Sequence, residues 1–216
     1  MRQGHSMLTN RRAFLASITL FAFGTSWAMA ADKPIVIIET SEGKIIVELE
    51  PERAPKTVEN FLKYVDDGFY NGTVFHRVIG PSPRQPGGFM IQGGGYDETM
   101  KEKPTRPPVK NESLANNKNG MSNLRGTIAM ARTSDPNSAT SQFFININND
   151  NKSLDTYDNA GYTAFGKVIE GMDVVDKIAR AETGTGMMID PDGRKSRASD
   201  VPAKAIVIKS LKRKGK

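Results

Sequence analysis

The sequence predicts a mainly β protein: a sheet of many short strands that closes on itself, with two α-helices plugging the ends. Short β-branched runs recur between turn residues, and two stretches carry apolar residues at helical spacing. Twenty Gly and 12 Pro among 216 residues supply the turns that such strands require. The length suffices for one domain with a full hydrophobic core and does not demand two. With no Cys in the chain, a disulfide framework, a Cys-ligated zinc and a thiol nucleophile are excluded. Packing alone must hold the fold.

Residues 1–30 differ from the rest. Arg2, Arg11 and Arg12 precede an apolar run at 13–23, acidic residues are absent, and Ala28-Met29-Ala30 forms a small-residue cleavage site. This pattern predicts a cleavable export signal processed before Ala31, leaving residues 31–216 as the mature domain. The apolar run is too short to span a bilayer, so no stable membrane anchor is expected. Asn10-Arg11-Arg12-Ala13-Phe14-Leu15 resembles the twin-arginine pattern, although paired arginines also occur in ordinary leaders. Both the Sec and twin-arginine routes stay open, and either leads to the periplasm. Cleavage would remove three of 30 basic residues and none of 24 acidic ones, leaving 27 against 24, a net +3 in place of +6. What stays basic is the tail, Lys209, Lys212, Arg213, Lys214 and Lys216. It reads as a solvated, frayed terminus and not as a nucleic-acid or membrane surface.

In the mature chain, Ile35–Thr40 and Lys44–Leu49, joined by Ser41-Glu42-Gly43, read as an opening hairpin. Val58, Phe61, Leu62 and Val65 then fall at i, i+3, i+4 and i+7 behind Pro55, predicting an amphipathic helix over 56–66 that ends near Gly68. Tyr70-Asn71-Gly72-Thr73 supplies a turn before strands at 75–79 and 89–92. The polar stretch from there to Gly126, with Pro104, Pro107 and Pro108, reads as a long surface excursion. Further strands follow at 126–131, 142–146 and 164–169. Met172, Val175, Ile178 and Ala179 repeat at helical spacing, with Asp173 early and Lys177 and Arg180 late, as the helix dipole favours. A last strand is expected at 205–208.

Phe75-His76-Arg77-Val78-Ile79 sets an arginine in the middle of an apolar run. A guanidinium cannot shed its charge and is costly to bury without a partner, so some purpose must keep Arg77 there. As a strand, the run turns Arg77 to the face opposite His76. The neighbouring strand at 89–92 then brings Gln92, a donor and an acceptor, beside the guanidinium.

FHRVI at 75–79, GFMIQGG at 88–94 and GTIAMAR with SQFFIN between 126 and 146 together resemble the cyclophilin family of peptidyl-prolyl cis-trans isomerases. The resemblance covers residues 35–211. It implies a closed eight-stranded antiparallel β-barrel capped by two α-helices, with a filled interior and an active site on the outer face.

The residue inventory agrees with such chemistry by what it lacks. The histidines are His5, in the leader, and His76. With no serine in a nucleophile-elbow pattern and no HExxH spacing, triad hydrolysis and a histidine metal cage are both poor fits. Gly93-Gly94-Gly95 precedes no lysine-bearing helix, so it is tightly bent backbone and not a phosphate loop. Rotation about a peptide C–N bond meets a barrier of about 18–20 kcal/mol from its double-bond character, and X-Pro bonds are the ones that populate both isomers. Lowering that barrier needs no cofactor, metal, nucleophile or proton transfer. A rigid donor aimed at the prolyl nitrogen or its carbonyl removes resonance, and Arg77 is suited to that work.

The resemblance implies that Arg77, Gln92 and Phe89 are catalytic, with Gln92 orienting Arg77 and touching the substrate carbonyl. Phe89, Met90, Phe144 and Leu154 would form the proline pocket, where periodicity alone would make Phe89, Met90 and Phe144 ordinary core. Ala131, Arg132 and Gln142 would hold the peptide backbone, and Tyr162 stands where the family often has histidine. His76 is expected to pack or to touch substrate. Two departures stand out. Ser153 replaces a tryptophan common in eukaryotic members, which implies weak cyclosporin binding with the proline pocket intact. Residues 80–88 form a nine-residue insertion beside the site, where two residues are common. The expected partners are proline-containing polypeptides, with no nucleic acid, and the chain is expected to be a monomer. The competing expectation is a holdase or scaffold that uses the insertion and the basic tail as contact surfaces.

Overall fold

The computed structural model describes residues 33–215 together with Met1. The expected leader, apart from Met1, lies outside the described residues. Alternation of apolar residues sets the architecture from the first strand. In β1 (Ile35–Thr40), Val36 and Ile38 are fully buried while Ile35 and Ile37 are half-buried. It pairs antiparallel with β2 (Lys44–Leu49). The chain continues through α1 (Pro55–Asp66), β3 (Thr73–Ile79), β4 (Met90–Asp97), β5 (Thr127–Met130), β6 (Phe143–Asn146) and β7 (Ala164–Glu170). After these come α2 (Met172–Ala179), β8 (Thr183–Ile189), β9 (Lys195–Pro202) and β10 (Val207–Arg213). The strands close in the order β1-β10-β3-β4-β6-β5-β7-β2, the expected eight-stranded antiparallel barrel, while β8 and β9 form a separate hairpin.

The barrel interior is filled. Phe61 of α1 is fully buried, its ring 5.0 Å from Phe165 of β7 and 5.8 Å edge-on from Phe143 of β6. A helix thus closes one region of the barrel with an aromatic plug, whose truncation to Ala costs about 3–5 kcal/mol in such cores. In α2, Val175, Ile178 and Ala179 are the buried face, matching the helical spacing. The glycine run expected to bend tightly instead stays within β4 and takes a register shift against β3: Gly94 has φ +84, and a Cβ there would come within 2.9 Å of both Phe143 and Tyr70.

Three regions depart from expectation. The stretch after β4 is not a purely surface excursion, since Asn111, Ser113 and Asn123 are buried. Its Glu112 caps α1, whose own Ala54 offers no side-chain cap. Glu112 accepts from the backbone N–H groups of Lys56 at 3.2 Å and Thr57 at 2.9 Å, and from the Thr57 hydroxyl at 2.8 Å.

The C-terminal tail is corrected from a frayed end to a strand as far as Arg213, with Lys214 beyond it and Lys216 outside the described residues. β10 pairs with β1 as far as Arg213 opposite Val36, and Arg213 ion-pairs with Asp66 at 2.5 Å. A register shift opposite Glu39 and Thr40 leaves Lys209 as an extra residue, so the inward residues Ile208 and Leu211 stand three apart. That bulge hides the period of two on which strand recognition depends.

The third departure is the β8–β9 hairpin, which was not expected. It turns at Asp190-Pro191-Asp192-Gly193, where Gly193 has φ +84 and donates its N–H to the Asp190 carbonyl at 2.9 Å. Its second strand lies against β3.

Candidate active site

Cross-strand pairing assembles the site. Arg77 of β3 stands opposite Gln92 of β4, Gln92 opposite Phe144 of β6, and Phe144 opposite Ala129 of β5. Residues directly opposite in a ladder share a face, so this row crosses four strands on one side of the sheet. Their chain neighbours point inward: Val78, Ile91 and Phe143 belong to the interior core. Met90, Ala129, Phe144, Leu154 and Ala164 instead form a second apolar cluster, with Phe89, Ala131 and Tyr162 packed against it. Phe89, Met90 and Phe144 therefore stand apart from the barrel core.

Beside this cluster opens a cavity of about 160 Å³ lined by Arg77, Phe89, Met90, Gln92, Ala131, Arg132, Phe144, Leu154 and Tyr162. Sites for drug-sized ligands take about 300–1,000 Å³, so this one suits a single ring. Nine of the eleven residues expected at the site line it. Gln142 and His76 do not. They line an adjoining cleft that shares Arg77 and Gln92 with the cavity.

Hydrogen bonds fix the orientation of the polar wall. Gln142 donates through Nε2 to Glu102 Oε1 at 3.1 Å, which turns its Oε1 towards Gln92 to accept from Nε2 at 3.0 Å. Gln92 is thereby left with Oε1 as its accepting end. A Cβ at Gly95 would fall inside the Gln142 side chain, so that glycine makes room for the relay. Burial raises the Glu102 carboxyl above its ordinary range.

Arg132 is a wall and not a free donor. Its side chain is 3% exposed and pairs with Asp158 at 2.7 Å, donates to the Gly161 carbonyl at 3.2 Å, and lies 4.4 Å over the Tyr162 ring. Tyr162 meets Phe144 edge-on at 5.7 Å. Burial raises its phenol above its ordinary value, so it stays protonated at neutral pH. His76 is buried, 4.7 Å from the Tyr96 ring, and its Nδ1 has no hydrogen-bond partner among the described residues. Burial pushes its imidazole down to about 4.

Residues 80–88 do not line the cavity. They leave β3 and return at Phe89, whose N–H donates to the Ile79 carbonyl at 2.8 Å. Besides Glu102 and Asp158, two supporting residues escaped sequence reasoning: Asn151, which holds the Phe89 carbonyl at 2.7 Å, and Asp200 of β9, 3.7 Å from Arg77 Nε. Nothing local in the sequence marks either, because both act across long separations.

Residues 35–213 match the family described as "Cyclophilin type peptidyl-prolyl cis-trans isomerase/CLD". The chain belongs to this family. It is 47% identical to "Peptidyl-prolyl cis-trans isomerase A" of Dickeya dadantii over 201 residues, covering 93% of this chain and 94% of that protein. It is 46% identical to "Peptidyl-prolyl cis-trans isomerase B" of Escherichia coli over 180 residues, covering 82% and 98% respectively. Among solved structures, a Cryptosporidium parvum cyclophilin type isomerase "in the presence of dipeptide ala-pro" matches with TM-score 0.61 and 26% identity, covering 84% of this chain and 99% of that one. As a cyclophilin, the protein is a peptidyl-prolyl cis-trans isomerase, and the closed eight-stranded antiparallel barrel is the one expected, with its last strand at Val207–Arg213 and not at 205–208.

Proposed function

We propose that this isomerase accelerates X-Pro rotation in exported polypeptides of the bacterial periplasm, with proline seated in the cavity of Phe89, Met90, Phe144 and Leu154. The observation that carries the site is the Arg77–Gln92–Phe144 row, which sets a permanent cation and an oriented amide beside an apolar slot. The export reading rests on the leader pattern at residues 1–30.

Raising a rate of about 10⁻² s⁻¹ to about 10³ s⁻¹ takes roughly 7 kcal/mol off the barrier. One preorganised donor supplies about 3–4 kcal/mol in comparable roles. Arg77 therefore does part of the work as the prolyl nitrogen turns pyramidal. The remainder comes from the slot and the flanking wall, which bind the twisted imide better than the planar one. Gln92 Oε1 accepts from a peptide N–H, and Ala131 with Gln142 lines the path of the peptide. The enzyme acts as a monomer without a membrane anchor, and Ser153 leaves cyclosporin weakly held.

Two measurements test this. Cell fractionation with the mature N-terminus read by mass spectrometry should find a periplasmic chain beginning at Ala31; an intact leader in the cytoplasm would overturn export. Isomerisation of a proline peptide by the mature chain should exceed the buffer rate and fall with Arg77→Ala. A variant as fast as wild type would remove Arg77 from the mechanism.

A further inference from the structure

The β8–β9 ladder changes register beside the site. Gly186 stands opposite Ala198 and Gly184 opposite Val201, so Thr185 alone faces Ser199 and Asp200. Two residues against one make a β-bulge, a device that re-aims a side chain. Asp200 has φ +62, in the left-handed region that residues with a Cβ seldom adopt. From there its Oδ2 lies 3.7 Å from Arg77 Nε and accepts from the Ser199 hydroxyl at 2.9 Å.

We propose that Asp200 is a positioning residue for Arg77, aimed at the guanidinium by the bulge in β9. This rests on the reading of Arg77 above. Folding alone does not account for the arrangement. An ion pair between side chains 42% and 36% exposed adds little stability, and a left-handed aspartate subtracts from it. Orientation does account for it. A carboxylate beside Nε restrains the plane of the fork while both terminal nitrogens stay available to the substrate. Arg213 is the contrast: Asp66 takes its Nε at 2.8 Å and its Nη2 at 2.5 Å, a bidentate pair that uses up the fork. At 3.7 Å, beyond hydrogen-bond length, Asp200 tethers Arg77 without occupying it.

Asp200→Asn removes the charge while keeping the shape and the tolerance for a left-handed backbone. Asp200→Gly removes the carboxylate and relieves the backbone. Both should lower kcat on a proline peptide about threefold to tenfold, less than the about hundredfold that a 1 Å misplacement can cost, with KM within about twofold. The melting temperature should hold for Asn and hold or rise for Gly, the opposite of a structural role. In an Arg77→Ala background, Asp200→Asn should change the residual rate no further. An unchanged or raised kcat in Asp200→Asn, or the same fold-loss without Arg77, overturns the proposal. Full activity of Arg77→Ala overturns the reading of Arg77 first, and this inference with it.

Discussion

The side-chain amide of Asn151 donates to the carbonyl of Phe89 at 2.7 Å and to Asn146 Oδ1 at 2.6 Å. Asn146 Nδ2 in turn donates to the Thr127 hydroxyl at 2.9 Å. The aromatic wall of the slot is thus pinned by an amide relay that reaches β5. Asn151→Ala should leave the buried Asn146 oxygen unpaired, a loss of about 1–3 kcal/mol. We expect a melting temperature lower by about 2–4 °C per kcal/mol and a raised KM for proline peptides as Phe89 shifts. Unchanged values of both would show that Phe89 is held by its packing alone.

Arg77→Ala should reduce kcat/KM about a hundredfold or more, mostly through kcat, because the donor acts on the twisted imide. Arg77→Lys should fall substantially too, since an ammonium lacks the planar fork. A lysine variant with wild-type turnover would mean that charge alone suffices.

The barrel and the slot were legible because they are built from short-range patterns. Arg77 announced itself as a charge inside an apolar run, and the 89–92 and 142–146 strands carried their residues into one row by simple pairing. Alternation could not tell Phe143 from Phe144; the motif context did, and the two rings indeed face opposite sides of the sheet. The hairpin was missed for a physical reason. Thr183–Ile189 and Lys195–Pro202 are largely exposed, so they lack the apolar alternation of a barrel strand, although Pro191-Asp192-Gly193 is a turn signal in its own right. Asp200 is harder still, because its approach to Arg77 depends on a bulge between strands paired outside the barrel.

Glu112 caps α1 from 55 residues away, which no local capping pattern could reveal. Glu112→Ala should cost about 0.5–2 kcal/mol, the range for losing an N-cap. The activity of the folded enzyme well below its melting temperature should not change, because the capped end of α1 does not line the slot. Thermal unfolding separates the two effects, and an unshifted melting temperature would show that water serves α1 as well as the carboxylate does.

His76 is 2% exposed. Burial, with the adjacent Arg77 charge adding to it, holds its imidazole down at about 4, whereas an unfolded histidine titrates near 6.5. Between those values the unfolded chain takes up a proton that the folded chain refuses. Stability attributable to His76 is therefore complete above about pH 6.5 and is lost as pH falls from there towards 4. A window of about 2.5 units at about 1.36 kcal/mol each makes the loss on the order of 3 kcal/mol. Carboxylates contribute their own slopes, so the informative quantity is the difference between wild type and His76→Phe, measured by denaturant unfolding at pH 7 and pH 4.5. The wild type should lose about 2–3 kcal/mol more than the variant over that interval; parallel losses would mean that His76 titrates normally. Because burial keeps His76 neutral across the working range, turnover should be nearly flat from about pH 6 to 8. A rate that falls away with a midpoint near 6.5 would give the imidazole a part in the reaction that its burial argues against.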